Sequence, residues 1–276
     1  MPGHVRVVSH CARFAGVSAL EAELRALRLQ TESTSAQLDA LRDRVTHVLP
    51  VAVQQHAARC LFQMRLHGDG SSVGVGVFFK SGLAVTACHN LANVRVGAAV
   101  FGRVINCDDT EVELVFSVAV RNEALDAALL TCTTAYEHFL EPYTGVPAEL
   151  ICCNMALCAF QTAIQEELPE FKQRIGVFYA LCSKLSANNT HMVYQSTSWA
   201  GDSGASLLLF DGQLVGIHLG IVNDLQRLKE QVLGADDVLA ELASSVNALI
   251  DGQSQGCIAL LASAFPDMPQ VAGNVG

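Results

Sequence analysis

Gly201-Asp202-Ser203-Gly204 is the stretch on which the reading of this chain turns. Taken alone it is an ordinary loop turn, with glycines free to adopt backbone angles that other residues avoid. Two strings upstream change its meaning. They are Val85-Thr86-Ala87-Cys88-His89 and Leu125-Asp126-Ala127-Ala128-Leu129-Leu130. The three occur in the order His, Asp, Ser, with 37 residues from His89 to Asp126 and 77 from Asp126 to Ser203. A barrel whose His, Asp and Ser are only structural would have to account for all three strings separately.

Around them the chain is built of short apolar runs. Val73-Gly74-Val75-Gly76-Val77-Phe78-Phe79, Val112-Glu113-Leu114-Val115-Phe116 and Ser206-Leu207-Leu208-Leu209-Phe210 alternate with Gly, Asp, Asn and Ser from about 51 to 222. Many short strands at even spacing predict a β-barrel or sandwich. Asp211-Gly212 between two apolar runs predicts a hairpin.

In family order the three strings resemble the trypsin-like (chymotrypsin-fold) serine proteases, over roughly residues 55 to 222; other serine hydrolase folds order these residues differently. The resemblance implies a mainly β chain of two six-stranded antiparallel β-barrels, to which the flanking sequence, outside the resemblance, adds N-terminal and C-terminal helices. It also implies a serine endopeptidase working through an acyl-enzyme. Ser203 would be the nucleophile, His89 the base and then the acid, and Asp126 the carboxylate that orients the imidazole. Gly201 and Ser203 would offer backbone N–H groups to the oxyanion. The strings around Gly74 and His89 look more like HtrA-type members than digestive enzymes. Two departures stand out. Cys88 precedes the histidine and Asn90 follows it, where trypsin has Ala and Cys, so the disulfide of that corner is absent. Asp202 matches the aspartate that trypsin pairs with its new N-terminus, yet no activation site is evident in the sequence.

Fifteen residues past Ser203 stands His218, in Val215-Gly216-Ile217-His218-Leu219-Gly220. This resembles glutamyl endopeptidases and the picornavirus-type and potyvirus-type proteases that cut after Gln. The resemblance implies a primary pocket made by Thr197, Ser198, His218 and Gly220, preferring Glu or Gln. Thr197 in place of Asp at the pocket base disfavours Arg and Lys. The plainer reading of His218 is a satisfied core histidine. Trp199 either walls the pocket or packs in its loop. The other seven histidines have no partner at ligand spacing.

The flanks read differently. Positions 17, 24, 31, 38, 45 and 20, 27, 34, 41, 48 form a heptad seam that is apolar except at Thr31 and Thr34. This predicts a coiled coil joining copies of the chain through residues 17–48, or two helices broken near Thr34, or one helix packed on its own domain. Leu225, Leu228, Val232, Ala235, Leu239, Leu242, Val246 and Leu249 keep a second helical period. The expected domains are a helical segment over 1–50, a protease domain over 51–223 and a C-terminal helix and tail over 224–276. Barrel one is expected over about 52–138 and barrel two over about 150–222, joined by Glu141–Pro147.

Composition narrows the partners. With 17 Lys and Arg against 27 Asp and Glu the formal charge is −10, so nucleic acid is not the expected partner. Mean hydropathy is +0.33, yet no apolar run approaches the roughly 18 residues of a spanning helix. No secretory signal is evident, which points to the cytoplasm and makes free thiols the default for the ten cysteines. No metal or organic cofactor is implied; the partner is a polypeptide substrate. The rival reading is an oligomeric peptide-binding protein with a latent protease domain. A quality-control protease with a peptide-binding PDZ domain is disfavoured, because too few residues follow the barrel.

Overall fold

The structure is a computed structural model, and it describes residues 49–68, 70–108, 110–160, 175–222 and 256–267. The heptad seam of 17–48 and the helical period of 225–249 lie outside these residues.

Helix α1 (Val51–Cys60) follows Pro50, whose fixed φ suits a helix start. Among the described residues twelve strands come after it: β1 (Leu61–Arg65), β2 (Gly74–Lys80), β3 (Leu83–Ala87), β4 (Ala99–Ile105), β5 (Glu111–Asn122), β6 (Ala127–Cys132), β7 (Asn154–Ala159), β8 (Gly176–Leu185), β9 (His191–Gln195), β10 (Ser206–Leu208), β11 (Leu214–Ile221) and β12 (Cys257–Leu261). They close into two antiparallel barrels, ordered β1-β2-β3-β6-β5-β4 and β10-β11-β12-β9-β8-β7. The two six-stranded barrels expected from the sequence are therefore present. Among the described residues no helix is long and apolar enough to cross a membrane.

Two expected boundaries are corrected. Residues 52–60, placed in barrel one, form α1 instead. Barrel two does not end at 222: its sixth strand is Cys257–Leu261, from the segment read as a tail. β12 pairs with β11 on one side and β9 on the other, so the barrel is open without it. Val222 N–H donates to the Gly256 carbonyl at 2.9 Å, joining the two ends of the intervening segment.

Barrel one is filled by aromatic rings. Phe62 stacks on Phe116 with centroids 4.4 Å apart and meets Phe78 at 5.4 Å. Gly76 and Gly102 make room, since a β-carbon at either would lie within 2.6 Å of a Phe62 ring atom. Successive side chains of a strand point to opposite faces. Hence Phe78, Ala84, Ala128 and Leu130 fill barrel one, while Val75, Val77, Val85 and Leu129 join the core shared with barrel two. Burial on both faces is why β3 and β6 read as nearly unbroken apolar runs. The connection between barrels is held to each: Leu140 N–H donates to Phe78, and Leu214 N–H donates to Glu141. Asp211-Gly212 turns β10 into β11, with Gly212 at φ 91°.

Candidate active site

His89 lies on a 3-10 helix, Cys88–Leu91, directly after β3. Asp126 lies in the turn before β6, the strand paired with β3. That pairing brings them together although 37 positions separate them. Asp126 grips the short helix three times. Its carbonyl accepts the Cys88 N–H at 3.0 Å, one carboxylate oxygen accepts the His89 N–H at 2.9 Å, and the other meets His89 Nδ1 at 2.7 Å. Asp126 adopts φ 52°, a left-handed conformation that aspartate tolerates better than most residues. Burial opposes a charge on the His89 imidazole. The hydrogen bond and negative charge of Asp126 outweigh it and hold His89 above the ordinary histidine range.

Ser203 is carried by barrel two, in the loop before β10. The loop is a turn closed by Asp202 N–H donating to the Trp199 carbonyl at 3.1 Å, with Gly201 at φ 92° in its third position. That position of a type II turn requires positive φ, which is why glycine stands there. The Asp202 carboxylate, fully buried, accepts the Trp199 N–H at 2.7 Å from the other side. The turn is thus locked by its own aspartate. The N–H groups of Gly201 and Ser203 have no hydrogen-bond partner among the described residues. The Ser203 hydroxyl donates to the Leu219 carbonyl at a long 3.4 Å.

Barrel one holds this loop in place. Val75 N–H and the Asn90 side-chain amide both donate to the Ser203 carbonyl, at 2.8 and 2.9 Å. Gly204 packs against β2 so closely that a β-carbon would lie 1.9 Å from the Val75 carbonyl oxygen. Sequence reading flagged Asn90 only as a departure from trypsin; its contact with Ser203 crosses 113 positions.

Thr197, Ser198, Ile221, Gly256 and Cys257 line a cavity of about 340 Å³ together with Gln195 and Ser196. Of the four residues expected to form the pocket, Thr197 and Ser198 line this cavity. A β-carbon at Gly220 would meet nothing within 4 Å, so this glycine borders open space. His218 is not among the lining residues. It is buried, and the Tyr194 hydroxyl lies 2.7 Å from its Nδ1. Burial, aided by the charge of nearby His89, pushes the His218 imidazole down to about 3. Tyr194 also interacts with the Cys257 thiol, which links His218 to the cavity wall. Trp199 packs its ring on Phe178, centroids 5.0 Å apart. Tyr194 and Cys257 escaped sequence reading, because their neighbours are set by the pairing of β9 and β11 with β12.

No protein-family model and no curated protein matches the chain. Among solved structures, the Rv3671c protease from M. tuberculosis is 14% identical, with 77% of this chain and 80% of that one covered at a TM-score of 0.49. The MamO protease domain from Magnetospirillum magneticum is 14% identical over 77% of this chain and 98% of its own, also at 0.49. The serine endoprotease from Yersinia pestis is 15% identical over 62% and 58%, at 0.47. Two closed six-stranded barrels, with His89 and Asp126 on one and Ser203 on the other, give this chain a chymotrypsin-like fold.

Proposed function

We propose that the chain is a serine endopeptidase. The observation that carries this reading is the hydrogen-bonded His89–Asp126 pair, whose neighbour Asn90 bonds a serine loop in which the Gly201 and Ser203 N–H groups are unengaged among the described residues. The Ser203 hydroxyl turns from Leu219 toward His89, gives up its proton to Nε2 and attacks the peptide carbonyl carbon. The resulting oxyanion accepts the two free N–H groups. His89 then protonates the leaving amine, and water cleaves the acyl-enzyme by the same base. One carboxylate oxygen of the buried Asp202 is held by the Trp199 N–H within its own loop.

The test is labelling by a fluorophosphonate. We expect modification at Ser203 alone, absent from a Ser203→Ala control. A folded protein that stays unlabelled would select the rival, a peptide-binding module that does not cut. The resting Ser203–Leu219 bond is the observation that favours this rival.

The cavity favours Gln over Glu before the scissile bond. Its lining carries hydroxyls and a thiol but no charge, and the adjacent imidazole is neutral. A carboxylate buried there would lack a cation, whereas an amide finds donors and acceptors. With matched peptides at pH 7.5, kcat/KM for Gln should exceed that for Glu by about tenfold or more, the cost of one unmatched buried polar contact. His218→Ala should cut the Gln value more than that of a Leu peptide. Equal rates on Gln and Glu would remove this assignment and keep the peptidase.

A further inference from the structure

The resting Ser203 hydroxyl is bonded to Leu219, so something other than a direct bond to His89 must set how the two meet. Asn90 is placed to do it. It is the residue after His89, on the same 3-10 helix, and is 8% exposed. Its side-chain N–H groups donate to the Ser203 carbonyl at 2.9 Å and to Thr86 Oγ1 at 3.1 Å. Thr86 in turn donates to the Val75 carbonyl at 2.7 Å, and Val75 N–H donates to the Ser203 carbonyl. The four residues form a closed ring across the junction of the barrels. Gly74 makes space for it, since a β-carbon there would lie 2.2 Å from Asn90 Nδ2 and 2.6 Å from Cγ.

From this we infer that Asn90 is a positioning residue that fixes the distance between base and nucleophile, coupling His89 to Ser203 through the backbone of each. The inference rests on the peptidase reading above. One short helix carries both His89 and the amide that holds the nucleophile's own carbonyl. Any shift of the serine loop against barrel one must first break that bond. The ring also separates positioning from folding. Without Asn90 the Ser203 carbonyl keeps Val75 N–H and Thr86 keeps Val75 C=O, so neither group is left buried without a partner.

The experiment measures fluorophosphonate inactivation of the full chain at several probe concentrations, giving kinact and KI separately. It compares the parent with Asn90→Ala and with Asn90→Asp, which keeps the shape and turns the donor into an acceptor. Asn90→Ala should lower kinact about tenfold, the effect of one hydrogen bond lost in the transition state, with KI and Tm near the parent's; Asn90→Asp, which sets a buried carboxylate against the Ser203 carbonyl, should lower kinact and Tm together. Parent kinact in both single variants would overturn the inference. So would a loss of kinact in Asn90→Ala that follows an equal loss of folded protein. An unlabelled parent would instead overturn the peptidase reading, and this inference with it.

Discussion

Asp126→Asn should slow acylation of Ser203 by about ten-thousandfold, the scale set by reversing the imidazole tautomer in a serine-histidine-aspartate site. The asparagine fits, because it tolerates the left-handed backbone that Asp126 adopts at φ 52° and can still accept the His89 N–H. What changes is the group facing Nδ1. A carboxylate oxygen at 2.7 Å accepts a proton there; an amide NH₂ would donate one and so drive the His89 proton to Nε2. Nε2 is the nitrogen that must take the proton from Ser203, and it would already be occupied. The pH profile should move as well. In the parent, Asp126 holds His89 above the ordinary histidine value of 6.5, so the rate rises through a midpoint higher than that. The asparagine removes the charge and the acceptor and leaves burial, which favours the neutral ring. The rising limb therefore shifts to lower pH even as the plateau falls. Labelling rates from pH 5 to 9 on both proteins decide it; a loss below tenfold, or an unmoved limb, would refute the assigned role.

Gly204→Ala should damage fold and site together. The residue has φ 90°, where a β-carbon is strained, and that carbon would sit 1.9 Å from the Val75 carbonyl oxygen and 2.9 Å from Thr86 Oγ1. Neither neighbour can withdraw cheaply. Val75 lies in the middle of the β1-β2-β3 sheet, and the Thr86 hydroxyl is bonded to it. The serine loop must lift off barrel one. Strain and overpacking together cost about 3 to 5 kcal/mol. For a domain of this size that lowers Tm by roughly 10 °C. Displacing Ser203 by an ångström should slow labelling about a hundredfold. Calorimetry and labelling on one preparation test both halves, and a parent-like Tm would show that the close approach is not obligatory.

These residues differ in how far the sequence reveals them. His89, Asp126 and Ser203 were legible because each belongs to a string tied to one strand end. The alternating and unbroken apolar runs also announced the strands. The boundary of barrel two was not legible. β12 is five residues long and follows a segment, 223–255, whose own pattern is helical, so its apolar run resembles a patch in a tail. The pocket suffers from the same cause. His218 stands out in the sequence by its spacing from Ser203, but only the pairing with β12 places Tyr194 against its ring, and the imidazole is not in the cavity lining. Asn90 was noticed as an oddity beside the histidine. No local pattern could connect it with a carbonyl 113 positions later.

The late position of β12 also fixes an order of assembly. Synthesis runs from the N-terminus, so barrel one and the Ser203 loop leave the ribosome well before Leu261 does. Until then β9 and β11 both carry unpaired edges, the kind of surface on which strands from other chains can add. A chain stopped after Val222 is for this reason an open sheet prone to aggregate, not a trimmed enzyme. Cys257 and Gly256 arrive with the same strand, so one wall of the cavity lined by Thr197 and Ser198 is the last part of it to be built.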